Sequence, residues 1–277
     1  MRVLGPVLIR RCAVLGSPIA HSLSPVLHRA AYAHLGLDWE YDAREVREDE
    51  LADFIAGLDD SWAGLSLTMP LKRAVVPLLD EMSDRARQAR AANTVVFEDA
   101  GEQRRLVGHN TDIPGAAAAL RERHDGPVDR AVVLGGGATA ASVLLALADM
   151  GCREAVLLVR DPARTTETLE AVGRHPTPPA VEAAVLGSAV PSADVLVSTV
   201  PASAQTALTH LAAEARVVFD VVYDPWPTPL AVAAADRFVP VVSGHDLLVH
   251  QAVLQVELMT GRTVPVSVLR HALGAVA

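Results

Sequence analysis

The sequence predicts an α/β fold divided between two domains, and three observations predict it. Apolar runs of strand length alternate with stretches of helical period along most of the chain. At 277 residues the chain exceeds the usual size of a single domain. From Arg130 onward the strand-like runs become short and wholly apolar, as strands buried on both faces of a parallel sheet are.

Taken in order, the run from Arg11 to Gly16 predicts a strand. Val26, Leu27, Ala30, Ala31, His34 and Leu35 then repeat at helical spacing, with Ser24 as N-cap and Pro25 in the first helical position. A strand over 39–45, a helix over 48–57 and a strand over 64–67 follow. Beyond Lys72 come two short helical stretches, a strand pair near 93–97 and 105–108, and a helix opened by Thr111 and Asp112. Ala131 to Leu134 predicts a strand, Gly135 to Gly137 a tight turn, and Ala138 to Met150 a helix with Val143, Leu144, Leu147 and Ala148 inward. A strand over 155–159 completes a βαβ unit, and strands over 194–199, 217–221 and 238–242 extend the parallel sheet. One long helix over 244–261 and a shorter one from about Pro265 have no strand after them, so both are expected to pack back on the first half. Residues 1–110 with 243–277 are therefore assigned to one domain and 111–242 to the other.

Composition excludes several classes of function. Apolar residues make up 51% of the chain, yet no run approaches the ~20 residues of a membrane span. The stretch Met1 to Arg11 lacks a small-residue cleavage site, which argues against a signal peptide and for a cytoplasmic location. Cys12 and Cys152 sit in apolar contexts and are expected to be small buried hydrophobes. A net charge of −9 without clustered cations argues against nucleic acid. The ten histidines form no ligand-spaced group, so no metal is expected.

Gly135-Gly136-Gly137-Ala138-Thr139-Ala140 fits G-x-G-x-x-A between a strand and a helix, the dinucleotide fingerprint of a Rossmann-type domain. Gly135 permits the turn, Gly137 lets the backbone approach a pyrophosphate, and Ala140 allows close helix packing, while the helix N-terminus favours the anion. The next strand ends in Val159-Arg160-Asp161-Pro162-Ala163-Arg164. An acid here would hold the ribose hydroxyls of NAD, but Asp161 followed by Pro also opens the next helix. Arg160 and Arg164 then flank a phosphate, which favours NADP over NAD. A solvated helix start is the plain alternative.

Of the 24 basic residues, 23 are Arg and only Lys72 is Lys. Arg stays protonated at any working pH, whereas a Lys can give up its proton in suitable surroundings, so a lone Lys invites a reason. Around it in the first half, hydroxyls and amides recur at element ends: Ser22, Ser24, Ser66, Thr68, Asn93, Asn110, Thr111 and Asp112. A polyol needs such donors and acceptors. Each has a structural explanation as cap, strand end or turn residue, and it is their joint presence that points to a site.

These segments resemble those of the shikimate dehydrogenase family nearly end to end. Gly16-Ser17-Pro18-Ile19-Ala20-His21-Ser22-Leu23-Ser24-Pro25 is similar to its G-x-P-I-x-H-S-x-S-P, and Ser66-Leu67-Thr68-Met69-Pro70-Leu71-Lys72 to its N-V-T-x-P-x-K. Ala92-Asn93-Thr94, Asn110-Thr111-Asp112, Tyr223-Asp224-Pro225 and the run Gly244 to Gln251 match further segments. The resemblance implies substrate contacts from Ser22, Ser24, Thr68, Lys72, Asn93, Asp112, Tyr223 and Gln251. It implies cofactor contacts from Gly135, Gly136, Gly137, Ala138, Thr139, Arg160 and Arg164, with Asp84, Val221 and Gly244 as lesser ones. The chain departs from the pattern at Ser66, where the family has Asn, at Val159, where its N-R-x-x-x-R begins, and in a glycine loop that is commonly G-A-G-G-x-x.

The activity implied is the reversible NADPH-dependent reduction of 3-dehydroshikimate to shikimate, a step of aromatic amino acid biosynthesis, by a monomer or homodimer. Lys72 would donate and accept the proton, and Asp112 would hydrogen-bond the same hydroxyl and pair with Lys72. An NAD-dependent quinate/shikimate dehydrogenase and a non-catalytic shikimate or dinucleotide sensor are the alternatives.

Overall fold

The computed structural model describes residues 9–100 and 103–275, leaving the side chains of Asp99, Ala100 and Gln103 aside. The first eight residues, most of the stretch that bears on a signal peptide, lie outside the described residues. The elements in chain order are β1 (Arg10–Gly16), α1 (Ser24–Leu35), β2 (Trp39–Glu45), α2 (Leu51–Ala56), β3 (Trp62–Leu67), α3 (Leu71–Ala74), β4 (Glu81–Met82), α4 (Asp84–Ala89), β5 (Thr94–Ala100) and β6 (Gln103–His109). Then come α5 (Asp112–Arg121), β7 (Arg130–Leu134), α6 (Ala138–Asp149), β8 (Glu154–Val159), α7 (Thr166–Gly173), β9 (Ala180–Val185), β10 (Ala193–Ser198), β11 (Ala215–Asp220), α8 (Pro229–Ala235), β12 (Val241–Val242), α9 (Gly244–Thr260) and α10 (Val266–Gly274). None of the described helices is long and apolar enough to cross a membrane.

The chain divides into two compact units, one of residues 1–87, 91–111 and 252–277, the other of 88–90 and 112–251. Helix α9 gives its first part to the second unit and the rest, from Ala252, to the first.

In the first unit the strand order is β2-β1-β3-β5-β6-β4. β1 runs parallel to β2 and β3, whereas β5 is antiparallel to β3 and β6, so the expected strand pair is a hairpin between β3 and the short edge strand β4 of a mixed sheet. Alternation along β1 sends Ala13 and Leu15 into a core with Leu65, Leu67, Leu71 and Val95. It sends Cys12 and Val14 to the opposite face, among Tyr32, Tyr41, Ala63 and Met259. Both cysteines are free and buried, and burial pushes each thiol up to about 11, which keeps them protonated.

The second unit is a wholly parallel sheet ordered β12-β11-β10-β7-β8-β9. Taken from β9, this is the doubly wound order 3-2-1-4-5-6, with its switch point between β7 and β10. Its strands bury Val132, Leu134, Leu158, Leu196 and Val218 against Leu208, Leu211, Leu230 and Ala234.

Three expectations need correction, and a fourth, for α6, holds but is too narrow. Ser24 is the first residue of α1 rather than its cap: Leu23 holds the cap position, and the Ser24 N–H donates to the Ser22 hydroxyl at 3.4 Å. The buried stripe of α1 is Ser24, Leu27, His28, Ala31 and Tyr32, so His34 faces solvent. Helix α6 is buried from Ala140 through Ala148, on every face and not only along the four predicted positions, because an Ala-rich helix packs closely on two sides. The strand expected over 238–242 shrinks to Val241–Val242, since Pro240 has no N–H for the ladder and Phe238 turns left-handed at φ 58°.

Phe238 is 96% exposed in that left-handed conformation, with its N–H donated to the Ala235 carbonyl at 3.0 Å. A non-glycine residue there costs about 1–2 kcal/mol, and glycine gives part of this back through its looser unfolded chain. Phe238→Gly is expected to raise stability by about 0.5–1 kcal/mol, seen as a melting temperature higher by roughly 1–4 °C. An unchanged or lower melting temperature would contradict this reading of the turn.

Candidate functional site

In the first unit the parallel register Leu15↔Leu67 brings the segments after β1 and β3 side by side. The Thr68 N–H donates to the Leu15 carbonyl at 2.9 Å and the Ser17 N–H to the Met69 carbonyl at 3.0 Å. A Cβ on Gly16 would collide with the Thr68 methyl, so the turn toward Ser22 and Ser24 passes directly over Thr68. Lys72 lies half-buried in α3, whose short turn is fastened by buried Leu71 and by the Lys72 carbonyl accepting the Ala92 N–H at 2.8 Å. That bond places Asn93 next to the T-x-P-x-K segment, where the Asn93 carbonyl accepts the Leu67 N–H at 2.7 Å. The turn after β1, Thr68, Lys72 and Asn93 thus meet around the C-terminal ends of β1 and β3, with Ser22 and Ser24 further along that turn.

Asn93 is itself tightly held. Its Oδ1 accepts the Thr94 hydroxyl at 2.9 Å and the Thr111 N–H at 2.8 Å, while its Nδ2 donates to Thr111 Oγ1 at 2.8 Å. Asp84 stands apart at the start of α4, its exposed carboxylate 2.8 Å from Arg87.

In the second unit the glycine turn sits at the switch point. Gly135 has φ 100°, and a Cβ there would strike the Thr199 hydroxyl just beyond β10, so only glycine fits. Gly137, at the N-cap of the 12-residue helix α6, has open space where a Cβ would be. That gap gives a pyrophosphate access to the backbone N–H groups of the helix start. Thr139 lies in the first turn of α6.

Asp161 caps the 3-10 turn after β8, its carboxylate accepting the Ala163 N–H at 3.1 Å, as the alternative reading of this acid requires. Arg160 and Arg164 are exposed, and neither side chain makes an ion pair among the described residues. The arginines at the opposite, N-terminal edge of this sheet differ: Arg130 pairs with Glu154 at 2.9 Å and Arg153 with Asp129 at 3.3 Å. An occupied acid and two uncommitted guanidiniums fit a ribose phosphate better than bare ribose hydroxyls.

Also in the second unit, a Cβ on Gly115 would lie 3.0 Å from the Gln251 nitrogen, so α5 and α9 meet there and bring Asp112, one turn earlier, near Gln251. A Cβ on Gly244 would collide with the Val221 carbonyl, and the rings of Tyr223 and His245 are 5.7 Å apart, so Val221, Tyr223 and Gly244 cluster as well. The segment carrying Tyr223 is anchored by Asp220, wholly buried at the end of β11. Its carboxylate accepts Thr228 Oγ1 at 2.6 Å, Gln205 Nε2 at 2.9 Å and the Val222 N–H at 3.1 Å. Burial raises the Asp220 pKa, and these donors oppose the rise.

Sequence reasoning missed Asp220, Gln205, Thr228, His28, Tyr41 and Gln255. The available signal was a lone polar residue inside an apolar run, such as Asp220 after Val217-Val218-Phe219 or Gln255 between Leu254 and Val256. His28 is fully buried, stacked on Tyr41 at 3.9 Å, and burial outweighs its bond to Gln255 to pull its pKa down to about 3. The unfolded imidazole binds a proton below about 6.5 and the folded one does not until about 3, so stability falls as pH drops through that window. Between pH 7 and pH 5 this amounts to about 2 kcal/mol. Urea unfolding of His28→Phe is expected to show a pH 7 to 5 loss smaller than wild type by about that amount; equal losses would contradict it.

The family model for the shikimate dehydrogenase substrate binding domain matches residues 14–95, and that for the shikimate 5'-dehydrogenase C-terminal domain matches residues 244–273. The shikimate dehydrogenase (NADP(+)) of Moorella thermoacetica is 38% identical over 279 residues, covering 95% of this chain and 93% of its own. The crystal structure of Mycobacterium tuberculosis shikimate dehydrogenase superimposes with a TM-score of 0.86 at 38% identity, covering 97% of this chain and 100% of that one. Shikimate 5-dehydrogenase from Thermus thermophilus, solved in complex with NADP(H) and shikimate, has a TM-score of 0.79 at 30% identity over 96% of this chain and 99% of that one. The chain belongs to the shikimate dehydrogenase family.

Proposed function

We propose that the protein catalyses the reversible NADPH-dependent reduction of 3-dehydroshikimate to shikimate, within aromatic amino acid biosynthesis. The observation that carries this reading is the meeting of Thr68, Lys72 and Asn93 with the turn after β1 around the C-terminal ends of β1 and β3, in a chain of this family. Ser22, Ser24, Thr68 and Asn93 bind the carboxylate and hydroxyls of the substrate, together with Asp112, Tyr223 and Gln251. Gly135 to Thr139 hold the pyrophosphate, Arg160 and Arg164 the 2′-phosphate, and Val221, Gly244 and Asp84 contribute lesser contacts. When bound, the nicotinamide supplies the hydride chemistry of the reaction. Lys72 gives a proton to the carbonyl oxygen on reduction and takes it from the hydroxyl on oxidation, while Asp112 accepts a hydrogen bond from that hydroxyl and orients it. The same reading makes the protein a cytoplasmic monomer or homodimer that binds neither nucleic acid nor metal.

The test is a comparison of initial rates with shikimate and quinate, each with NADP and NAD. Turnover is expected to be fastest with shikimate and NADP. Preference for quinate with NAD would favour the alternative dehydrogenase, and tight binding without turnover would mark a sensor.

A further inference from the structure

We infer that Gln255 is a positioning residue for the substrate-binding amide of Asn93, an inference that rests on the proposed function. Gln255 lies in the part of α9 that belongs to the first unit, is 2% exposed, and joins three other elements of that unit. Its Oε1 accepts Ser66 Oγ of β3 at 2.9 Å and lies 3.2 Å from His28 Nε2 of α1. Its Nε2 donates to the Asn93 carbonyl at 3.1 Å and to Thr94 Oγ1 of β5 at 3.0 Å.

The directions of these bonds are fixed by chemistry. An amide oxygen only accepts, so Ser66 donates to Gln255 and in turn accepts the Tyr41 hydroxyl at 2.7 Å. The imidazole of His28, kept neutral by its burial, has to carry its proton on Nε2 to donate to the same oxygen. At the other end, Thr94 Oγ1 receives the Gln255 N–H and therefore spends its own proton on Asn93 Oδ1. With the Thr111 N–H also on Oδ1 and Nδ2 donating to Thr111 Oγ1 at 2.8 Å, the Asn93 amide is held in one orientation, its oxygen toward Thr94 and the Thr111 N–H. Turning the Asn93 amide over would set its Nδ2 against the Thr111 N–H and leave the Thr94 hydroxyl no oxygen to donate to, so the relay selects one of the two amide orientations of Asn93.

Thr94→Val keeps the shape of the side chain and removes only the hydroxyl between Gln255 and Asn93. Gln255→Leu removes the hub. Ser66 is the register partner of Thr94 across β3 and β5, so Asn placed at 66 in a Gln255→Leu background puts a shorter amide opposite Thr94. Steady-state kinetics of the full chain decide the matter, with wild-type turnover of shikimate and NADP measured first. Absence of that turnover overturns the functional reading itself. Given turnover, the KM for shikimate is expected to rise about tenfold in Gln255→Leu and about threefold in Thr94→Val, with the KM for NADP within about twofold of wild type, and Ser66→Asn is expected to recover part of the loss. A wild-type KM for shikimate in Thr94→Val, or equal rises in both KM values, overturns the inference while leaving the function standing. Thr94→Val alone suffices if Gln255→Leu does not fold.

Discussion

Lys72→Arg is expected to lower turnover by roughly 10²–10⁴ while leaving thermal unfolding unchanged. The fold should tolerate the change, because α3 is anchored by buried Leu71 and by the bond from Ala92 to the Lys72 carbonyl, neither of which involves the Lys72 side chain. Arg preserves the positive charge but does not give up a proton at working pH, so the variant separates proton transfer from electrostatic stabilisation of the oxygen. Steady-state rates in both directions, with a melting curve for each protein, make the comparison. Near-normal turnover in a folded variant would remove Lys72 from proton transfer and leave it a purely electrostatic role.

The second large effect is expected at the cofactor phosphate. Replacing Arg160 and Arg164 together by Ala should raise the KM for NADP about 10²-fold and leave the KM for NAD within about threefold, since each charge-assisted bond to phosphate is worth roughly 1.5–3 kcal/mol. Both side chains are exposed and make no ion pair among the described residues, so little of the fold is disturbed. Parallel changes for both cofactors would mean that the arginines do not read the 2′-phosphate.

Much of the architecture is legible in the sequence because burial on two faces leaves a plain trace. The apolar runs of β7, β8, β10 and β11 could be placed to within a residue or two, and the glycine triplet falls at the switch point they define. Strand β9 was missed because its pattern of exposed and half-buried residues, with Glu182 among the apolar ones, carries no buried run. In α1, His34 fits the apolar spacing and is exposed, whereas His28 reads as a polar gap and is fully buried. Periodicity reports where apolar groups can go, but a buried polar residue is admitted by its hydrogen-bond partners, which lie far away in sequence. Gln255 and Asp220 illustrate this: Asn93 stands 162 positions from Gln255, and Gln205 15 from Asp220. The candidate contact residues were legible through motifs, whereas the groups that hold Asn93 and the Tyr223 segment in place were not.

The most direct measurement of the central claim follows a labelled hydride. Full-length protein supplied with 3-dehydroshikimate and NADPH deuterated at the nicotinamide C4 position that donates the hydride is expected to form shikimate with one deuterium on the former carbonyl carbon for each NADP+ produced. Shikimate formed without the label, or cofactor oxidised with no shikimate formed, would contradict the account.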